Sequence, residues 1–70
     1  MKLTVDNKEY IVTENGTMFT TPSFNSAISV SKVHEFKYRV DSDIYGVASV
    51  SFTSLVAAFR EALLISKRFK

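Results

Sequence analysis

A chain of 70 residues with no cysteine, one histidine, a net charge of +2 and a pI near 9.1 has no means of building a disulfide scaffold or a thiolate metal site, and is too short for several domains. A domain of this size buries only about 60% of the surface its unfolded chain exposes, so stability rests on a hydrophobic fraction of 46% that includes six Phe. That is more large apolar surface than one small core encloses, which makes a second copy of the chain, as a homodimer, a candidate partner.

The amino terminus, MKLTVDNKEY, is punctuated by charges and has no apolar leader-like run, and no stretch reaches the roughly 20 apolar residues of a membrane span. The expectation is a soluble, cytoplasmic protein with no membrane partner. Leu3 and Val5 alternate with Lys2 and Thr4, and Asp6, Asn7 and Lys8 supply turn chemistry before a β-rich run from Glu9 to Thr13, a predicted hairpin. Asn15 and Gly16 both tolerate positive φ and predict a two-residue type I′ turn into a third strand, Thr17 to Thr21, which Pro22 ends. Asn15, Gly16 and Thr17 also form a glycosylation sequon, which without an export signal reads as a turn.

The run from Pro22 to Ser31 mixes helical spacing (Phe24, Ala27, Ile28) with alternation (Ile28, Val30) and reads as a loop leading into an irregular strand. From Val33 to Val40 the alternation places Phe36, Tyr38 and Val40 on one face and Glu35, Lys37 and Arg39 on the other, a half-buried strand. Asp41, Ser42 and Asp43 then form a polar turn. The next run, Ile44 to Phe52, offers Ile44, Ala48, Val50 and Phe52 to one face and Tyr45, Val47, Ser49 and Ser51 to the other, completing a second hairpin.

Thr53 and Ser54 supply capping hydroxyls before a run of helix formers without Pro or Gly. At about 100° per residue, Leu55, Val56, Ala58, Phe59, Ala62, Leu63, Ile65 and Phe69 share one arc, and Arg60, Glu61, Lys67 and Arg68 gather opposite. The chain is thus predicted to be a single α+β domain over residues 1–70: an antiparallel sheet of about five short strands, in two hairpin units, packed against one C-terminal amphipathic helix. Strand order is not dictated. If Val33 or Val40 falls at an edge, that edge offers pairing to a second copy.

No constellation for catalysis is present. His34 stands between Val33 and Glu35 without a nucleophile motif, and reads as a partly buried or strand-rim residue on the side of Phe36 and Tyr38. The nine serines mostly occupy turns, caps and the solvent faces of strands. Asp41 and Asp43, the closest pair of carboxylates, lie in an expected exposed turn, and turn formation explains them. Gly16 and Gly46 are too far apart for a phosphate loop, and no metal-ligand spacing occurs. The chain is therefore read as a non-enzyme without cofactor or metal.

Binding is the remaining class. Leu64 breaks the helix pattern: it falls in the polar sector with Arg60, Lys67 and Arg68 at spacings of three and four. It reads either as an ordinary exposed leucine or as an apolar anchor in a cationic ring suited to an acidic protein surface. Lys67, Arg68 and Lys70 also complement the negative end of the helix dipole. Residues 1 to 35 carry three Lys against four acids, and residues 36 to 70 carry six Lys or Arg against three, an asymmetry that favours an acidic partner, either protein or nucleic acid. An alternative face is Lys37, Arg39, Tyr45 and Val47, whose basic and aromatic side chains resemble a platform for unpaired nucleic acid, although cross-strand pairs of this kind also stabilise solvated sheets. In size and lack of motifs the chain resembles the small accessory proteins of bacteriophages and mobile elements, which cover a surface of a larger host protein as inhibitors or adaptors. The resulting expectation is a protein-binding module acting through Leu64, Arg60, Lys67 and Arg68, with a small basic nucleic-acid binder as the alternative.

Overall fold

The fold is that of a computed structural model, which describes residues 1–69; Lys70, counted above among the terminal cations, lies outside the described residues. The first turn forms at Asp6 and Asn7, whose φ values of 51° and 66° are the paired positive angles of a type I′ loop, which Asp and Asn tolerate. It joins β1 (Lys2–Val5) to β2 (Lys8–Ile11) in an antiparallel ribbon with Val5 opposite Lys8. Lys8, expected in the turn, is already a strand residue. The expected strand from Glu9 to Thr13 breaks at Val12, which is buried. Its N–H donates to the Met1 carbonyl at 2.8 Å, and its carbonyl accepts from the Met1 amino group at 3.2 Å. Val12 is the corner at which the chain leaves the ribbon for a second sheet.

That sheet has five strands in chain order, β3 (Thr13–Asn15), β4 (Met18–Thr20), β5 (Ile28–His34), β6 (Lys37–Ser42) and β7 (Val50–Phe52), each antiparallel to its neighbours. The turn between β3 and β4 corrects the assignment of Asn15 and Gly16 as its loop pair. Asn15 is paired with Met18, so the loop is Gly16 and Thr17, and positive φ falls on Gly16 alone, at 62°. A positive angle at only the first loop position is the requirement of a type II′ turn.

Two larger corrections concern the centre of the sheet. The alternation from Val33 to Val40 spans not one strand but the end of β5, a loop at Glu35 and Phe36, and the start of β6. Neither loop residue carries turn chemistry or adopts positive φ, so nothing in the pattern marks the reversal. A register shift between Lys32 and His34 accommodates it, with Val33 as the extra residue. Phe36, expected inside, is 74% exposed, and His34 is exposed beside it. The run from Ile44 to Phe52 likewise pairs only over its last three residues, with Val50 opposite Val40 and Phe52 opposite Tyr38. Asp41 and Ser42 belong to β6, and residues 43–49 form a connection in which Gly46 takes φ 86°. Val47, expected to face outward, packs with Ile44 against the core, whereas Ala48 is exposed. Val33 and Val40 lie on inner strands, so neither is at an edge; β3 and β7 are the edges.

The core forms where one face of this sheet meets α1 (Leu55–Arg68). Phe19, Val30 and Val40 stand in register across β4, β5 and β6, and with Ile28 they are buried together with Ala58, Phe59, Ala62 and Ile65 of the helix. The ribbon adds Val5 to this core, with Leu3 and Tyr10 packed at its margin. The helix begins at Ser54, whose extended backbone (φ −124°, ψ 137°) and Oγ, accepting the Ala57 N–H at 3.5 Å, make it the cap. Lys67 and Arg68 in the last turn complement the dipole. Phe69 follows the final helical residue, so its expected place on the apolar arc is lost, and it is 40% exposed.

Phe59 has no exposed surface. Phe59→Ala should lower the free energy of unfolding by about 3–5 kcal/mol, most of the roughly 4–10 kcal/mol available to a chain of this length; a urea titration followed by far-UV circular dichroism measures the loss.

Candidate functional site

The side of α1 turned away from the sheet carries Arg60, Leu64, Lys67 and Arg68, all exposed, with Leu64 at 53%. Helical spacing places them side by side. The type I′ turn of the ribbon brings Asp6 up to this row. The Arg60 Nε donates to both Asp6 carboxylate oxygens at 3.2 Å, and a terminal guanidinium nitrogen lies 3.1 Å from Oδ1. An exposed pair of this kind adds at most about 1 kcal/mol, but it neutralises Arg60. Lys67 and Arg68 meet no carboxylate among the described residues.

Between α1 and the ribbon the surface sinks into a groove of about 620 Å³. Tyr10, Phe24 and Leu63 form its apolar walls, Asn25 and Ser66 its polar end, and Lys8 and Lys67 reach it from opposite elements. A smaller hollow of about 230 Å³ shares Lys8, Tyr10, Leu63 and Lys67 with it and extends to Asp6, Arg60 and Leu64, so groove and outer helix face are continuous. The Lys8 ammonium lies 5.5 Å from the Tyr10 ring centroid, a cation–π approach. Phe24 packs on Phe59 with centroids 4.9 Å apart and planes inclined by 50°, so the groove wall leans directly on the core.

Asn25 fixes the loop that carries Phe24. Its backbone N–H donates to Ser66 Oγ at 2.9 Å, its Nδ2 donates to the Phe69 carbonyl at 3.0 Å, and its Oδ1 accepts the Ala27 N–H at 3.0 Å. The side chain thereby satisfies a carbonyl at the open end of the helix and closes an Asx turn. Ser66, only 3% exposed, is the polar residue on the inner helix face that receives the loop. Ser66 is the exception to the reading that the serines mostly occupy turns, caps and solvent faces. The available signal is its position, four residues after Ala62 and three after Leu63, which places a hydroxyl on the buried arc.

The other expected face is not assembled. Lys37 opens β6, whereas Tyr45, wholly exposed, lies in the connection that follows Ser42 at the other end of that strand. Val47 turns to the core. Arg39 Nε donates to Asp41 Oδ1 at 2.7 Å, and Ser31 Oγ donates to Asp41 Oδ2 at 3.0 Å, a closed network on the outer sheet face. His34 ends β5 in an exposed position, and among the described residues no group of three or more His, Cys, Asp or Glu is placed to hold a metal ion.

No helix of the described residues is long and apolar enough to cross a membrane. Comparison of the chain with protein-family models, curated proteins and solved structures finds no match.

Asn25→Ala removes two side-chain hydrogen bonds while leaving the backbone bond to Ser66 in place. It should reduce stability by about 1–2 kcal/mol, read as a lower urea midpoint with an unchanged slope.

Proposed function

We propose that the protein is a small, non-enzymatic binding module that docks on an acidic surface of a larger protein, acting as an inhibitor or adaptor through the outer face of α1. The observation that supports this reading is the half-exposed Leu64 set beside Lys67 and Arg68, two cations without a carboxylate partner among the described residues. An apolar side chain that removes itself from water on contact supplies affinity, and the cations around it steer and orient an acidic partner. Arg60, held by Asp6, frames the patch and adds little net charge.

A protein partner is favoured over nucleic acid because the basic and aromatic residues of the outer sheet face are dispersed. Arg39 is engaged by Asp41, Val47 is turned inward, and Tyr45 stands apart from Lys37. Phosphate recognition needs several free cations along one track.

Leu64→Glu should leave the far-UV circular dichroism and the unfolding midpoint unchanged while abolishing retention of the partner that wild-type protein captures from its source cell. Retention of that same partner by the variant, identified by mass spectrometry, excludes the outer helix face.

A further inference from the structure

We infer that the groove between α1 and the β1–β2 ribbon receives a segment of the partner protein, and that this segment is acidic and carries one aromatic or large apolar side chain. The inference rests on the protein-binding reading above and adds the occupant and its place.

Size comes first. A groove of about 620 Å³ has room for a side chain of a bound segment, within the range of roughly 300–1,000 Å³ typical of ligand sites. Its lining joins the apolar Tyr10, Phe24 and Leu63 to the polar Asn25, Ser66 and Lys67, which disfavours a lipid chain and favours a peptide that presents both kinds of surface. Tyr10, Phe24 and Leu63 are each only partly buried, so they retain apolar area for a side chain to cover.

Charge decides the rest. Lys8 approaches the groove from the ribbon and Lys67 from the helix, and no carboxylate pairs with either among the described residues. No acidic side chain lines the groove itself; Asp6, in the adjoining hollow, is taken by Arg60. A basic segment entering between two ammonium groups would be repelled, and an acidic one attracted, so the same pair of lysines provides both selection and rejection.

The aromatic rings argue against unpaired bases as the occupant. Lys8 sits over the Tyr10 ring, and Phe24 is tilted against Phe59 in the core, whereas stacking on nucleobases requires open ring faces along a cationic track. The wall is also held before any partner arrives, because the hydrogen bonds from Asn25 to Ser66 and Phe69 fix the loop bearing Phe24. Little ordering cost then remains for association.

The test is selection of peptides of about ten residues, a length sufficient for an extended or helical recognition segment, from a random library displayed against the immobilised full chain. Enriched sequences are expected to place several Asp or Glu around one aromatic or large apolar residue. Their affinity should fall about tenfold or more for K8E/K67E and by a smaller factor for K8Q/K67Q, since rim charges act through the field they create; the neutral pair distinguishes loss of charge from loss of fold. Enrichment of basic or uncharged peptides, undiminished binding by K8E/K67E, or no enrichment at all overturns the inference. Displacement of the peptides by a single-stranded oligothymidine that loses binding in K8E/K67E would assign the groove to nucleic acid and overturn it equally. If no acidic peptide is selected while Leu64→Glu still abolishes partner capture, the groove inference falls and the protein-binding reading stands; if partner capture also survives in Leu64→Glu, both fall.

Discussion

Everything in this molecule depends on one apolar contact, the laying of Ala58, Phe59, Ala62 and Ile65 onto the sheet face formed by Phe19, Ile28, Val30 and Val40. A chain with no cysteine to cross-link it must offset its loss of conformational freedom with burial alone. The two alanines bring the helix backbone close to the sheet, and Phe59 packs on the ring of Phe24. The strands are short and leave an apolar face in water without that cover, and a helix of fourteen residues is marginal in water without an apolar face to lie against. Each element is stable only in the presence of the other.

The site follows from the same contact. Once the inner arc of α1 is committed to the sheet, Arg60, Leu64, Lys67 and Arg68 are directed to solvent by helical geometry, and the ribbon, which reaches the core through Val5, runs beside the helix with a groove between them. Asp6 then sits within reach of Arg60 because the type I′ turn requires a residue tolerant of positive φ at that point. One side chain thus serves the turn and cancels a helix charge. Lys8 and Lys67 are left as the positive pair at the groove.

The opposite face of the sheet is arranged differently. Asn15, Met18, Ser31, Arg39 and Ser51 stand in register across the five strands, and Arg39, Ser31 and Asp41 satisfy one another. The edge strands β3 and β7 have three residues each, a length that limits edge-to-edge association. These features suit a solvated surface, and they contrast with the groove side, where Lys8 and Lys67 meet no carboxylate among the described residues.

Local sequence determined the parts whose physics is local. The helix was legible from its 3.6-residue apolar period and the capping hydroxyls of Thr53 and Ser54, the first hairpin from the turn chemistry of Asp6, Asn7 and Lys8, and the α+β class from their sum, because hydrophobic period and turn chemistry act over a few residues. Leu64 and its cations were legible for the same reason. Tertiary structure decided what depends on distant partners. The reversal at Glu35 and Phe36 has no turn residues to announce it and exists because β5 and β6 pair across it. Val47 turns inward because core space lies beneath the connection. Ser66 finds its role only when Asn25, 41 residues away in the chain, is brought to it. The groove belongs to neither the ribbon nor the helix alone. It arises from their packing, which no period in the sequence encodes, since the residues that line it are gathered from three separate stretches of chain.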